Sequence, residues 1–526
     1  MSTIGSNNNS SSSASSVNNV AVQGTTVSAM TFVSRVTGLI RDMVMSFFFG
    51  ATDAADSFFV AFRIPNFFRR LFAEGAFTQA FLPILAEYRG KTDREFKEFI
   101  SATFGALLVI LVPVLVVGVI FAPALVMVFA PGFWQEEIRY SLTRDMLRIT
   151  FPYLGFISLT SFAAALLNVH SRYAIPALTP VLLNLVLIGA VLLAADMFAS
   201  PVFALAWGVL VAGFLQLFFQ IPLLHKLGLI VQPTLNYSHP GIKKVRVLVV
   251  PAIFAASVTQ INSLIDTMLA STLVAGSVSW LYYSDRLFEL PVGVLAVALG
   301  TVLLPNLARL HTATQARGFS DLLDWGMRVG IVFGVPASAA LVLLAPQLIT
   351  VIFFRGAMEV HDVEMAALSL QAFSVGLLGY VLVKVLAPGY FAMQDTKTPF
   401  RFAAIAVIVN VGLNLSLFSW LGHVGLAIAT SVAGWMNAIL LFRGLVRQKA
   451  YIPNPNLIFS LLRVSFGTFV MIVFLMGFNP RLEVWLHWEE LTRFGVMACL
   501  VGGGFLIYVL SLLIVGERLK SLIVKV

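Results

Sequence analysis

Long apolar runs, separated by glycine, proline and charged residues, recur from residue 28 to the C-terminus. A helix needs about 20 apolar residues to cross a bilayer, and these runs reach that length, whereas a membrane barrel would show short alternating segments. The pattern therefore predicts an all-α polytopic membrane protein with about 14 transmembrane helices. The predicted spans are 28–50, 56–88, 99–130, 145–169, 174–197, 203–227, 247–272, 277–308, 325–354, 364–392, 400–420, 424–445, 456–478 and 492–515.

The composition agrees with a chain that uses lipid as its solvent. Hydrophobic residues make up 59% of the chain and charged residues 11%, whereas a soluble domain carries about 25% charge. Residues 1–27 are rich in Ser and Asn and carry no charge, so they predict a disordered polar tail without a signal-peptide pattern. The single cysteine, Cys499, excludes a disulfide framework and a cysteine-based metal site.

The distribution of basic residues predicts the orientation in the membrane. With the N-terminus in the cytoplasm, Lys and Arg are concentrated in the even-numbered loops and at the C-terminus. The odd-numbered loops hold only Arg139, Arg144, Arg355, Arg481 and Arg493. Since cytoplasmic loops of membrane proteins are enriched in Lys and Arg, both termini are expected in the cytoplasm. The net charge of +9 therefore reflects orientation, and no nucleic-acid partner is expected.

A weak internal repeat divides the chain into two similar parts. FLPILAE at 81–87 resembles LLPNLAR at 303–309, and APALV at 122–126 resembles APQLI at 345–349, in nearly the same register. Six predicted spans separate the copies, which predicts two parallel six-helix lobes with a substrate site between them. The predicted domains are an N-lobe at 28–230, a C-lobe at 240–450, and two additional helices within 451–526.

Charged side chains inside the predicted spans mark the candidate site. Each costs roughly 2.5–3.5 kcal/mol at a helix centre, so these residues must face water, each other or a ligand. Arginine predominates, and its planar guanidinium binds two oxygens of a phosphate or carboxylate at once. The charged residues that mark the candidate site are Arg35, Arg41, Asp42, Asp56, Arg63, Arg69, Arg70, Glu74, Asp266, Asp285, Arg286, Glu289 and Lys384.

The simplest alternative is that each arginine pairs with a neighbouring carboxylate. That interpretation is favoured for Arg63 and Arg70, which are able to extend to the membrane interface. A ligand is favoured for Arg35, Arg69 and Arg286. Pro65 and Asn66 predict a kink just before Arg69. Lys384 is open to two interpretations, a charge-coupling site or a salt bridge.

Several motifs resemble the MurJ family of the MOP exporter superfamily. They are SRVTGLIRD at 34–42, TDAADSFFVAFRIPNFFRRLFAEGAFTQAFLPILAEY at 52–88, SVSWLYYSDRLFELPVGVLAVALGTVLLP at 277–305 and VKVLAPGYFAMQDTKTP at 383–399. The resemblance extends from about residue 28 to the C-terminus. It implies a V-shaped pair of lobes with a cationic cavity for the diphosphate headgroup of lipid II. The last two helices would shape a lipid-facing groove for the undecaprenyl tail.

The resemblance also implies roles for individual residues. The expected substrate-binding residues are Arg35, Arg41, Arg69 and Arg286. The expected supporting or gating residues are Asp56, Glu74, Ser279, Asp285, Glu289 and Lys384.

The sequence thus predicts a flippase of the bacterial inner membrane that moves lipid II from the cytoplasmic to the periplasmic leaflet by alternating access. No catalytic residue, metal or cofactor is expected. The expected partners are lipid II, membrane lipids and proteins of cell division and cell-wall synthesis, with the chain itself a monomer. Two alternatives stay open: another MOP-type exporter, for an O-antigen lipid or a drug, and a membrane scaffold for cell-wall enzymes.

Overall fold

The computed structural model describes residues 9–71 and 77–517, with the backbone alone for residues 9–28, 250, 254–256, 258 and 259. Every regular element in these residues is helical. The α-helices are α1 (Asn9–Phe49), α2 (Asp53–Phe68), α3 (Thr78–Arg89), α4 (Asp93–Ile120), α5 (Ala122–Phe129), α6 (Glu137–Thr150), α7 (Tyr153–Val169), α8 (Ala174–Ala194), α9 (Phe203–Lys226), α10 (Pro240–Ser271), α11 (Ser277–Thr312), α12 (Ala316–Phe353), α13 (Val360–Val375), α14 (Leu377–Ala392), α15 (Lys397–Arg447), α16 (Asn456–Phe478), α17 (Leu482–His487) and α18 (Glu490–Ile514).

The helical membrane architecture predicted from the sequence is confirmed. In the part of the chain that the structure describes, ten helical segments are long and apolar enough to cross a membrane. The predicted first, second and seventh spans, which are not among these ten, also coincide with helices, namely α1, α2 with α3, and α10.

Two interruptions of the helices fall at glycines within apolar runs. The predicted span 364–392 consists of α13 and α14, which are separated at Gly376. The predicted spans 400–420 and 424–445 correspond to the two parts of α15, which meet at Gly422. Gly422 has the non-helical angles φ 55° and ψ −134°, a backbone conformation that favours glycine.

Helix α1 begins at Asn9, so the structure gives residues 9–27 a helical backbone. The disordered polar tail expected from the composition of residues 1–27 stays a prediction. The first eight residues lie outside the described part of the chain.

The chain forms two compact units. Unit 1 comprises Met1–Met45, Val60–Phe129 and Trp134–Gln260, and unit 2 comprises Ser46–Phe59, Ala130–Phe133 and Ile261–Val526. These boundaries differ from the predicted lobes in one respect that matters for the site. Residues 46–59, which the repeat assigns to the N-lobe, pack within unit 2. The division into two six-helix lobes stays a prediction.

Unit 1 has an aromatic core. Phe99 of α4 stacks on Phe81 and Tyr88 of α3, with ring centroids 5.7 and 4.4 Å apart. Gly241, at the start of α10, closes this core, because a Cβ there would lie 2.5 Å from Cδ2 of Phe99. The core therefore fixes α3 against α4 and α10.

Unit 2 has a second core, where α12 packs against α16, α17 and α18. Trp485 of α17 is fully buried in it, and its Nε1 donates to Oδ1 of Asn479 at 3.1 Å. The Tyr508 hydroxyl of α18 donates to the Val332 carbonyl of α12 at 2.6 Å. The last two predicted spans are thus attached to α12.

Candidate functional site

Arg41 lies in a buried polar network of unit 1. Its side chain is 5% exposed, and its Nε and Nη2 donate to Oδ1 of Asp42 at 2.9 and 2.6 Å. Nη1 donates to Oδ1 of Asn184 on α8 at 3.1 Å. Hydrogen bonds between two ionised groups are stronger than neutral ones, so this network holds the Arg41 side chain in place. Direct contact of Arg41 with substrate stays a prediction. Arg35, six residues earlier on α1, is less buried than Arg41.

Asn184 is a residue that the sequence reasoning missed. Its Nδ2 donates to the Ser34 carbonyl at 3.1 Å and to the Thr37 hydroxyl at 3.2 Å. Asn184 therefore attaches α8 to the turn of α1 that carries Arg35. The signal that could have found it is an amide in the otherwise apolar run VLLNLVLIG, because a polar side chain inside a membrane helix usually has a polar partner.

Arg69 follows directly on α2, whose hydrogen bonding is interrupted at Pro65. Pro65 has no N–H for the Ala61 carbonyl, and the Thr150 hydroxyl donates to that carbonyl instead, at 3.0 Å. Residues 69–71 then form a π-helical turn, which confirms the predicted distortion near Arg69. Such turns are frequent at functional sites.

The three arginines at the end of α2 and just after it differ in burial. Arg63 and Arg69 are half-buried, and Arg70 is exposed. Their assignment to ligand or to structure stays a prediction. Glu74, the expected supporting residue that follows them, lies outside the described residues.

Asp56 and Ser279, two expected supporting residues, are in direct contact in unit 2. Asp56 of α2 is fully buried; its Oδ2 accepts the Gly276 N–H at 2.8 Å. Its Oδ1 accepts the N–H and the hydroxyl of Ser279 at 2.8 and 2.5 Å. The carboxylate thus caps the N-terminus of α11, where backbone N–H groups lack helical partners and the helix dipole favours negative charge.

Residues 46–59, hereafter the 46–59 segment, make further contacts in unit 2. The Ser46 hydroxyl donates to the Phe353 carbonyl at 2.7 Å, and the Tyr283 hydroxyl donates to the Gly50 carbonyl at 2.8 Å. Gly50 has φ 55°, and a Cβ there would lie 2.3 Å from the Ala357 carbonyl oxygen. The turn between α1 and α2 therefore fits closely against the ends of α11 and α12.

Arg286 lies two turns along α11 from Ser279. Its guanidinium carbon is 5.5 Å from the ring centroid of Tyr282, and its Nη2 lies 3.4 Å from the Tyr282 hydroxyl. Nη1 is 3.9 Å from the carboxylate of Glu289, and the Arg286 side chain is 36% exposed. Asp285 is half-buried beside it. The expected cation of unit 2 is therefore partly accessible.

Lys384 and Asp266 are two further charged residues of unit 2. Lys384 is exposed on α14. Asp266 of α10 accepts from Nδ2 of Asn414 at 2.6 Å, and the same nitrogen donates to Oδ1 of Asn410 at 2.8 Å. The role of Lys384 stays a prediction.

An apolar cavity of about 430 Å³ lies beside α11 in unit 2. Its lining comes from α11, α12, α16 and α18 and includes Leu290, Phe333, Met471, Gly504 and Tyr508. We call this cavity the apolar groove. Helices α16 and α18, which contribute to this lining, correspond to the last two predicted spans. Their role in a lipid-facing groove for the tail stays a prediction.

The chain is similar to proteins of one family over most of its length. The sequence profile described as "Lipid II flippase MurJ" matches residues 45–494. The chain is 42% identical over 508 residues to the "Probable lipid II flippase MurJ" of Vibrio cholerae, which covers 95% of this chain and 97% of that protein. It is 41% identical over 436 residues to the "Lipid II flippase MurJ" of Burkholderia cenocepacia, covering 82% and 84% of the two chains.

Solved structures show the same relationship in three dimensions. The structure described as "Lipid II flippase MurJ, inward closed conformation" superposes with a TM-score of 0.78 at 26% identity, covering 93% of this chain and 98% of that one. An inward-facing multidrug transporter of the MATE family in the MOP superfamily gives a TM-score of 0.65 at 13% identity, covering 79% and 94%. The second similarity is one of fold alone.

Proposed function

This chain belongs to the lipid II flippase MurJ family, and we propose that arginines on α1, α2 and α11 bind the diphosphate of lipid II as the protein moves it across the membrane. The protein is a lipid II flippase that works by alternating access. The proposal concerns which residues hold the headgroup, which hold the lipid tail and which segment acts as a gate.

The observation that carries the proposal is that Arg286 and the apolar groove lie next to each other along α11. Leu290, the first α11 residue in the lining of the apolar groove, follows Arg286 by one helical turn. A partly exposed guanidinium thus adjoins an apolar channel on one helix. A polyprenyl diphosphate has the matching chemistry, with an anionic headgroup joined to a long apolar tail.

The guanidinium groups suit a diphosphate for a general reason. Arginine stays ionised in a membrane cavity and forms paired hydrogen bonds with phosphate oxygens. We assign direct contact to Arg35, Arg69 and Arg286, which are all half-buried. Arg41 would reach the substrate only if its bonds to Asp42 and Asn184 opened, so its first role is to hold the turn of α1.

The gate would be formed by the 46–59 segment. In the predicted orientation this segment and the start of α11 lie on the periplasmic side. Closure is stabilised by the three hydrogen bonds to Asp56 and by the bond from Tyr283 to Gly50. Opening toward the periplasm would break these bonds, and the headgroup would then leave for the outer leaflet. Both termini would lie in the cytoplasm.

The test is a set of single substitutions in a strain depleted of its own flippase. Arg35→Ala, Arg69→Ala and Arg286→Ala should fail to support growth at normal expression. Arg70→Ala is the matched control, because Arg70 is adjacent to Arg69 but exposed, and it should support growth. Native mass spectrometry of the purified variants should show weaker lipid II binding for the first three alone.

Two results would contradict the proposal. Growth with all three alanine variants would exclude the arginines as headgroup ligands. Lipid II binding equal to that of the unmodified protein would have the same meaning, even if growth were lost for another reason.

A further inference from the structure

We infer that Tyr282 is a positioning residue that couples closure of the 46–59 segment to the affinity of Arg286 for diphosphate. The inference rests on the proposed role of Arg286 and adds a link between gate and binding site. It follows from a continuous chain of contacts from Phe59 on α2, through the Tyr282 ring, to the Arg286 guanidinium on α11.

The first contact is an aromatic stack. The rings of Phe59 and Tyr282 lie with their centroids 4.0 Å apart and an interplanar angle of 24°. Phe59 is 5% exposed and Tyr282 is half-buried, so the stack covers one face of the Tyr282 ring. Stacked aromatic pairs contribute beyond the area that they bury, and the position of the Tyr282 ring therefore depends on α2.

The second contact links Tyr282 to the cation. Residues four apart on a helix are neighbours, and Arg286 follows Tyr282 at that spacing. The guanidinium carbon lies 5.5 Å from the ring centroid, within the range of a cation–π interaction. The Tyr282 hydroxyl, 3.4 Å from Nη2, adds a second point of support.

The register of the two helices connects these contacts to the gate. Asp56 and Phe59 are three residues apart on α2, and Ser279 and Tyr282 are three residues apart on α11. The two helices therefore meet at two successive turns, first through the Asp56 cap and then through the aromatic stack. A movement of the 46–59 segment that breaks the cap also removes Phe59 from Tyr282.

The consequence concerns the timing of release. A guanidinium already held in place loses less freedom when it binds a phosphate than one that is mobile. With the 46–59 segment closed, Tyr282 holds Arg286 and affinity for diphosphate is high. With the segment open, Tyr282 loses its stack on Phe59, Arg286 is held less firmly and affinity falls. The protein would then bind the headgroup while closed to the periplasm and release it on opening.

The first experiment measures lipid II binding to the purified full-length protein by native mass spectrometry. Tyr282→Leu and Phe59→Leu should each weaken binding by about 3- to 10-fold, the size expected from one stack or one cation–π pair. Tyr282→Phe, which keeps the ring, should bind lipid II with an affinity closer to that of the unmodified protein. The matched control is Phe288→Leu, since Phe288 is a buried ring of α11 that packs on Phe373 and Tyr380 instead.

The same substitutions in an Arg286→Ala background separate positioning from general structural damage. There Tyr282→Leu and Phe59→Leu should have no further effect on lipid II binding, because the residue through which they act is gone. An equal loss of binding with and without Arg286 would overturn the inference. If Arg286→Ala alone bound lipid II normally, the proposed role of Arg286 would fail instead.

A second experiment reports on the gate itself. Thr52 and Val274 are exposed on turns that adjoin, because the Ala51 carbonyl oxygen lies 2.9 Å from the Cβ position of Gly276. Cysteines at these positions, in a Cys499→Ser background, would cross-link when the segment is closed. Since coupling is reciprocal, lipid II should increase cross-linking in the otherwise unmodified protein but not with Tyr282→Leu. An equal increase in both would contradict the coupling while leaving the headgroup assignment intact.

Discussion

The carboxylate of Asp56 caps the helix that begins at Ser279, although 223 residues separate the two in sequence. A single buried side chain of α2 thereby satisfies two backbone N–H groups and one hydroxyl at the start of α11. Hydrogen bonds to a charged group contribute about 1.5–3 kcal/mol each, more than neutral ones. Together these three bonds therefore stabilise the closed position of the 46–59 segment more than neutral hydrogen bonds would.

We predict that Asp56→Asn lowers the closed-to-open equilibrium constant of the 46–59 segment at least 10-fold, since loss of one charge-assisted bond is worth about 1.5–3 kcal/mol. The amide keeps the size of the side chain but presents N–H groups to a helix start that needs acceptors. The measurement is cross-linking between cysteines at positions 52 and 274. Asp196→Asn, a change at an exposed acid of unit 1, is the control and should cross-link normally. Unchanged cross-linking in Asp56→Asn would show that the cap does not hold the segment.

The helices and many of their breaks could be predicted from the sequence. Apolar runs of membrane-spanning length located the spans, and Gly422 and Pro65 marked the distortions in α15 and α2. The reason is physical: burial in lipid selects apolar residues, and backbone irregularity requires residues that tolerate it.

The contacts of the site could be predicted only in part. Charge inside a span identified Asp56 and Arg41, since such residues are costly in a membrane. Their partners depend on which helices are neighbours, and helical periodicity does not contain that information. The amide of Asn184 accepts from Arg41, and this contact distinguishes Arg41 from the less buried Arg35.

We predict that Asn184→Leu destabilises the protein by about 1–3 kcal/mol and weakens lipid II binding. Leucine has a similar volume but leaves the buried Nη1 of Arg41 and the Thr37 hydroxyl without their amide partner. The turn of α1 that carries Arg35 would then be less well fixed. Thermal unfolding in detergent measures the first effect and native mass spectrometry the second. Leu193→Ala, on the exposed end of α8, should change neither.

A buried ion cluster holds the groove helices together. The fully buried carboxylate of Glu517 lies 3.0 Å from Nε of Arg328 on α12 and 3.2 Å from Nη1 of Arg463 on α16. We predict that Glu517→Ala lowers stability by about 3 kcal/mol, the lower limit for breaking a buried pair, because both arginines are partly exposed. The thermal unfolding midpoint should fall clearly.

The control for that cluster is a pair with both members exposed. Glu98 lies 2.8 Å from Arg94 on α4, and the two side chains are 53% and 89% exposed. Exposed ion pairs contribute little to stability, so Glu98→Ala should change the unfolding midpoint only slightly. Equal shifts of the unfolding midpoint for Glu98→Ala and Glu517→Ala would show that burial of Glu517 does not matter for stability.

The last prediction concerns the lipid tail. Gly504 of α18 lines the apolar groove, and a Cβ at this position would already approach Cδ2 of Leu475 to 3.2 Å. Gly504→Phe should fill part of the groove, exclude the polyprenyl chain and abolish lipid II flipping in proteoliposomes. Gly502→Phe is the matched control, because no atom lies within 4 Å of a Cβ there and the new ring would face outward. If Gly504→Phe flipped lipid II as fast as Gly502→Phe, the groove would not be the path of the tail.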